Sequence, residues 1–174
     1  MTTLSRKLTT GGLLIAVGIL LPQVFHLIGG SALGSVLLPM HLPVLLGGLL
    51  LGPVFGGLVG LITPAISCLL TSMPQPAALP FMMVELAVYG AAAGLLYRRL
   101  HLPWWASLLL AQLSGRVIKA LVLWVLGQLF SLPVPAALTV FTAVGTGIPG
   151  LILQWILVPL LLLALRKGRV LDDH

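Results

Sequence analysis

Acidic side chains are almost missing from this chain. There are three among 174 residues, and two of them, Asp172 and Asp173, stand side by side near the C-terminus. Glu85 is the one acid inside the sequence, so catalysis by a pair of carboxylates is close to excluded. Cysteine is as scarce. Cys68 alone can form neither an intrachain disulfide nor a thiolate metal cluster, and within an apolar run it reads as a small packing residue. There is no G-x-x-x-x-G-K-[ST], so the chain does not hydrolyse ATP through a P-loop. H-E-x-x-H and G-x-S-x-G are also missing, and with them two common hydrolase designs. No cofactor motif is present, and the expectation is a protein that is not an enzyme and needs no cofactor.

Charge of either sign is sparse at 7% of residues, while 59% are hydrophobic and mean hydropathy is +1.19. Soluble domains of this length do not have that composition; a polytopic helical membrane protein does. The net charge of +6 would suggest nucleic acid in a soluble protein. Here the basic residues sit at the ends of apolar runs, so they report membrane topology, and no nucleic-acid partner is expected.

The stretch from Val36 to Pro74 organises the chain. It carries no charged residue and is broken in the middle by Gly52-Pro53, which predicts a helical hairpin inside the membrane. Gly48, Gly52, Gly56 and Gly60 recur every four residues, a spacing that lets neighbouring helices approach closely. The rest of the chain should wrap this hairpin.

Six apolar segments follow from hydropathy, at about 8–28, 36–51, 54–72, 79–97, 104–130 and 137–165. They predict an all-α, single six-helix transmembrane domain over residues 1–174. The second segment is short, and Pro149 and Pro159 offer kink points in the sixth. The first follows Arg6-Lys7 and runs past Pro22 to Ile28 without a clear cleavage site, so it reads as a retained helix rather than a signal peptide. Leu171-Asp172-Asp173-His174 should form a frayed tail. Arg6, Lys7, Arg98, Arg99, Arg166, Lys167 and Arg169 all fall on one side of a six-helix arrangement, and the opposite loops hold no Lys or Arg. By the positive-inside rule both termini are cytoplasmic. Trp104 and Trp105 then lie at the cytoplasmic interface.

Three ionisable residues remain inside the expected spans: Glu85, Arg116 and Lys119. Each costs roughly 3 kcal/mol to place in a bilayer, so they should face the bundle interior. From helical rise, Glu85 lies ~9 Å below the outer end of its helix and Lys119 ~22 Å above the cytoplasmic end of its own, at similar depth in a ~30 Å core. Gln112, Arg116 and Lys119 share one helix face; Glu85 and Tyr89 share another. Two readings stay open: a polar site in the outer half that binds a solute, or one ion pair locking two helices. One acid against two bases leaves a cation over, which favours a site for an anionic or carboxylate-bearing solute. Thr142, Thr146, Gly150 and Gln154, at four-residue steps, could line the same cavity or bond across a helix interface. His41, framed by Pro39 and Pro43, is a candidate for the site or a satisfied helix-end histidine. His26 is near another outer helix end and His101 is interfacial; no His, Cys, Asp or Glu spacing supports a metal site.

Several of these stretches together resemble the substrate-binding S components of energy-coupling factor (ECF) vitamin transporters. They are Leu42-Pro43-Val44-Leu45-Leu46-Gly47-Gly48-Leu49-Leu50-Leu51-Gly52-Pro53 with the Gly-rich helix to Thr63-Pro64, then Leu69-Leu70-Thr71-Ser72-Met73-Pro74, Glu85-Leu86-Ala87-Val88-Tyr89-Gly90, Gly115-Arg116, and Gly147-Ile148-Pro149-Gly150-Leu151-Ile152-Leu153-Gln154. The resemblance spans about residues 8 to 165. It implies a small six-helix protein of a prokaryotic cell membrane that captures a vitamin or related micronutrient from outside. Its implied partners are a transmembrane coupling subunit and two ATPases, besides membrane lipid. It also implies a ligand zone at the outer ends of helices 4 to 6, where Glu85, Tyr89, Arg116, Lys119, Thr146 and Gln154 match by position. The family's Ala-x-x-x-Ala docking pattern corresponds to Gly12-Leu13-Leu14-Ile15-Ala16, so Gly12 and Ala16 are expected to dock on the coupling subunit; plain helix packing is the competing role. The extra cation favours an acid such as pantothenate, while the biotin-specific branch shares the Leu-Leu-Gly-Gly-Leu-Leu-Leu-Gly-Pro style of turn, and pyrimidine or pyridine vitamin precursors stay open. A structural or assembly subunit and a stand-alone secondary carrier are the alternatives.

Overall fold

A computed structural model describes residues 3–128 and 134–167 of the chain. Among these residues all regular structure is helical, in the order α1 (Thr3–Leu37), α2 (His41–Leu51), α3 (Pro53–Thr71), α4 (Leu79–Gly94), α5 (Trp104–Gln128), α6 (Thr139–Thr146) and α7 (Ile148–Lys167). A π-helical turn, Leu95–Arg99, continues α4. Residues 129–133 and 168–174, with Arg169 and the expected frayed tail, lie outside the described residues.

Five helical stretches are long and apolar enough to cross a bilayer: Leu4–Gly30, Pro53–Thr71, Leu79–Arg99, Trp104–Gln128 and Ile148–Leu165. They expose large aliphatic side chains such as Leu13, Leu20, Leu69, Leu113 and Leu160 on their outer faces. Such surfaces suit lipid rather than water, and the chain is a multi-pass membrane protein.

Three expected boundaries move. The segment expected at 36–51 is helical only from His41, because Leu38 takes a left-handed φ of 50° and breaks the chain from α1. At 11 residues α2 is ~16 Å long, about half a hydrocarbon core. Segment 8–28 is longer than expected: α1 runs to Leu37, with non-helical backbone at Gly29 and Gly30 marking a kink. Segment 137–165 is two helices. The break falls at Gly147 (φ −87°, ψ 3°), just before Pro149, while Pro159 sits inside α7.

The turn between α2 and α3 lies at Gly52-Pro53. Gly52 has φ 94°, a conformation that L side chains rarely adopt, and Pro53 opens α3 where its missing N–H costs nothing. Every residue of α2 is buried, and the helix touches α1, α3, α4 and α7. α3 and α4 cross backbone to backbone: a Cβ at Gly60 would strike the Leu86 carbonyl, and one at Gly90 the Gly56 carbonyl. That contact also sets the register of the two antiparallel helices. On α1 the buried face is Gly11, Gly18 and Pro22, with Gly18 close against Pro43 and Thr63.

The two ends of the bundle differ. At the Gly52 end, Lys7 stands 5.8 Å from the centre of the Phe55 ring, and the Arg98 guanidinium donates to the Leu50 carbonyl at the end of α2. Trp104 turns inward, edge to face with Trp155 at 6.3 Å, while Trp105 is exposed. At the opposite end, the start of α2, the end of α3 and the α6–α7 break surround a cavity.

Candidate functional site

Glu85 and Tyr89 lie one turn apart on α4, at 5% and 0% exposure. Gly115 on α5 explains how their neighbours reach them. A Cβ there would overlap the Tyr89 ring and crowd the Glu85 carbonyl, so only glycine lets α5 come this close. One turn along α5, Lys119 Nζ then donates to Glu85 Oε2 at 2.7 Å. The Tyr89 hydroxyl donates to the other carboxylate oxygen, Oε1, at 3.4 Å. Both oxygens are thereby engaged from inside the protein. His41, the first residue of α2, packs edge-on against the Tyr89 ring with centroids 5.3 Å apart.

Above this layer is a cavity of about 410 Å³. Its polar lining includes His41, Glu85, Arg116, Lys119, Ser67 and Thr146; Met40, Met82, Pro22 and Leu38 are among its apolar walls. Arg116 is three residues before Lys119 on the same side of α5, yet Glu85 is ion-paired to Lys119 and not to Arg116. The formal charge of the three groups is therefore +1, and Arg116 carries the excess. A guanidinium in a mostly apolar cleft, with no ion-paired carboxylate among the described residues, is suited to bidentate binding of an anion. Among the described residues, no group of three or more His, Cys, Asp or Glu comes together.

The expected site residues separate into three groups. Glu85, Lys119, Arg116, His41 and Thr146 meet at the cavity. Thr146 is at its rim, with its hydroxyl turned back to the carbonyls of Ala143 and Thr142 at 3.3 and 3.4 Å. Tyr89 is beneath the cavity, as a support for Glu85 and His41. Gln154 is elsewhere: it accepts from Gln112 Nε2 at 2.9 Å, and Gln112 accepts from Trp155 Nε1 at 3.1 Å, so the three tie α5 to α7. The stripe Thr142, Thr146, Gly150, Gln154 presupposes one continuous helix, and the break at Gly147 divides it. Gln112 likewise faces α7 rather than the cavity that Arg116 and Lys119 line.

Gly12 and Ala16 are exposed on α1, turned away from its buried face. A Cβ on Gly12 would meet nothing within 4 Å among the described residues. His26 lines the cavity near Gly34.

Sequence reasoning missed Ser67, a cavity residue at 0% exposure. A signal existed, since Thr63, Ser67 and Thr71 share one face at four-residue spacing. Thr63 and Thr71 donate to the carbonyls of Val59 and Ser67, at 2.6 and 2.7 Å. The Ser67 hydroxyl has no hydrogen-bond partner among the described residues.

Compared with known proteins, residues 6–162 match the family model described as ECF transporter, substrate-specific component. No curated protein and no solved structure matches the chain.

Proposed function

Since that match covers all but the two ends of the chain, the protein belongs to the substrate-specific components of ECF transporters, and on that premise we propose that it captures a vitamin-like anion, such as pantothenate, from outside a prokaryotic cell. It would deliver this solute inward together with a membrane coupling subunit and two ATPases. The observation that carries the reading is the excess cation: Lys119 is occupied by Glu85 at 2.7 Å, and Arg116 lines the cavity with no ion-paired carboxylate among the described residues. In this reading Arg116 receives the anion. Glu85 and Lys119 form the polar floor, with Tyr89 as its support. His41 and Thr146 line the wall and rim, and Gln154 braces α7 behind them.

The bundle's two ends support an outward cavity. Lys7 and Arg98 gather at the Gly52 turn, and the cavity opens at the other end. The positive-inside rule then puts the basic end, with both termini, in the cytoplasm, and counts α2 as a short sixth crossing completed by the loop before it. The exposed Gly12 and Ala16 leave a small-residue face on α1 free for the coupling subunit, which favours docking over internal packing.

Proteoliposomes test the reading. The chain alone should bind labelled solute without ATP-driven accumulation, and addition of the coupling subunit and both ATPases should start uptake. Accumulation by the chain alone under an ion gradient would instead identify a secondary carrier. Failure to bind any solute would leave a structural subunit.

A further inference from the structure

Among the described cavity residues, burial and hydrogen bonding disagree at His41 Nδ1 and at the Ser67 hydroxyl, and Ser67 is the more deeply buried of the two. Its side chain is fully buried, its hydroxyl lacks a partner among the described residues, and it lines the cavity. A buried serine in an α-helix has an easy escape, since its hydroxyl can donate to the carbonyl four residues back. Thr63 and Thr71, one turn to either side, do that. Burying a hydroxyl without a bond is unfavourable, so Ser67 is in an arrangement that a ligand would complete.

Its height can be read from the glycine contacts. Gly60 of α3 meets Leu86 of α4, and the two helices run antiparallel. Ser67 lies beyond Gly60 toward the mouth, and Glu85 is adjacent to Leu86. Ser67 therefore stands about six residues nearer the mouth than Glu85, or ~9 Å along the helix axes. Gly115, against Glu85 and Tyr89, places Arg116 at the level of the Glu85 layer. Between the two heights the wall includes Met40 and Met82, flexible thioethers that adapt to apolar or flat groups.

We propose that Ser67 is a specificity-determining residue, and that the ligand is a two-ended carboxylate: its anion lies at Arg116, and a neutral hydroxyl or amide ~9 Å nearer the mouth hydrogen-bonds the Ser67 hydroxyl. This rests on the solute-binding reading above. A plain fatty acid would satisfy Arg116 and leave Ser67 bare; a neutral polar molecule would do the reverse. The site selects molecules with both groups.

The test uses the full-length chain in mild detergent, with Kd measured for pantothenate, biotin and octanoate. The first two carry a carboxylate and a distant neutral polar group; octanoate has the carboxylate alone. The wild-type chain should bind at least one of the first two well ahead of octanoate. Ser67→Ala should weaken that binding by about 3- to 10-fold, the range of one neutral hydrogen bond, and leave octanoate unchanged. Ser67→Thr, which keeps a hydroxyl, should restore part of the loss. The ligand-free Tm of Ser67→Ala should stay level or rise, because the change deletes an unsatisfied buried group; a serine with a merely structural bond would lower it. Equal affinity of Ser67→Ala and wild type for the polar-ended acid would overturn the role of Ser67 and spare the transport reading. A wild-type chain that binds neither polar-ended acid would overturn the two-ended class. A solute of other chemistry carried through purification would then show that solute binding itself still holds.

Discussion

Two cations three residues apart on α5 should behave in opposite ways when neutralised. Lys119→Gln removes the 2.7 Å partner of a carboxylate whose side chain is only 6% exposed. Breaking a fully buried pair costs about 3–5 kcal/mol, because the surviving charge is left uncompensated. The Lys119 side chain is 25% exposed at the cavity, so water offsets part of this, and about 2–3 kcal/mol is expected. Arg116→Gln strands no carboxylate, so its effect on folding should stay within about 1 kcal/mol. For ligand binding the order reverses. Loss of a charge-assisted hydrogen bond from Arg116 to an anion should cost about 1.5–3 kcal/mol, or roughly 10- to 150-fold in Kd. Thermal unfolding of both variants in detergent, with and without the acid that binds wild type, separates the effects. If Arg116→Gln bound that acid as well as wild type while losing as much stability as Lys119→Gln, the division of labour argued here would be wrong.

Other consequences follow from the packing. Gly90→Ala should drive a methyl into the Gly56 carbonyl and separate α3 from α4, with a loss of about 3 kcal/mol or more and a drop in monodisperse protein by fluorescence-detected gel filtration. Gly52→Ala places a side chain at φ 94° and should cost about 1–2 kcal/mol, visible as a lower Tm with unchanged ligand Kd. Gln112→Leu deletes the bonds to Gln154 and Trp155 and should cost about 1–3 kcal/mol by the same assay. Gly12→Leu changes a site with open space around it, so ligand binding should persist while co-purification with the coupling subunit falls; undiminished co-purification would remove this face from docking.

What could be read from the sequence was mostly what chemistry forces locally. Gly52-Pro53 admits few conformations other than a turn, and the glycine spacing around it matches the close crossing of α3 on α4. Glu85 and Lys119 were legible as buried groups at similar depth because burial of either alone is so costly, while the sequence left open whether Lys119 or Arg116 would pair with Glu85. Apolarity, however, does not mark where one helix stops. In the run from Val36 to Leu51, Pro39 and His41 interrupt the apolar pattern and His41 reads as a possible helix-end residue, but nothing in the pattern shows that the positive φ of Leu38 ends α1 at Leu37 and delays α2 to His41. Gly147 is one glycine among 20; Pro149 marks a kink point two residues on, but a kink point does not foretell a full break that separates Gln154 from Thr146. Ser67 was hidden differently. A serine between two threonines on an apolar helix looks like another back-bonded hydroxyl, and only the cavity's position reveals that it lacks a bond.

The central claim is that the isolated chain holds a small acidic solute in the cavity beside Arg116. Native mass spectrometry of the chain purified alone from rich medium tests it most directly, with the intact species isolated and then denatured to release any bound molecule. The account predicts one vitamin-sized carboxylate per chain, lost on Arg116→Gln and retained on Gly12→Leu. A solute retained undiminished by Arg116→Gln, or a bare chain that a panel of such acids also fails to stabilise, would contradict it.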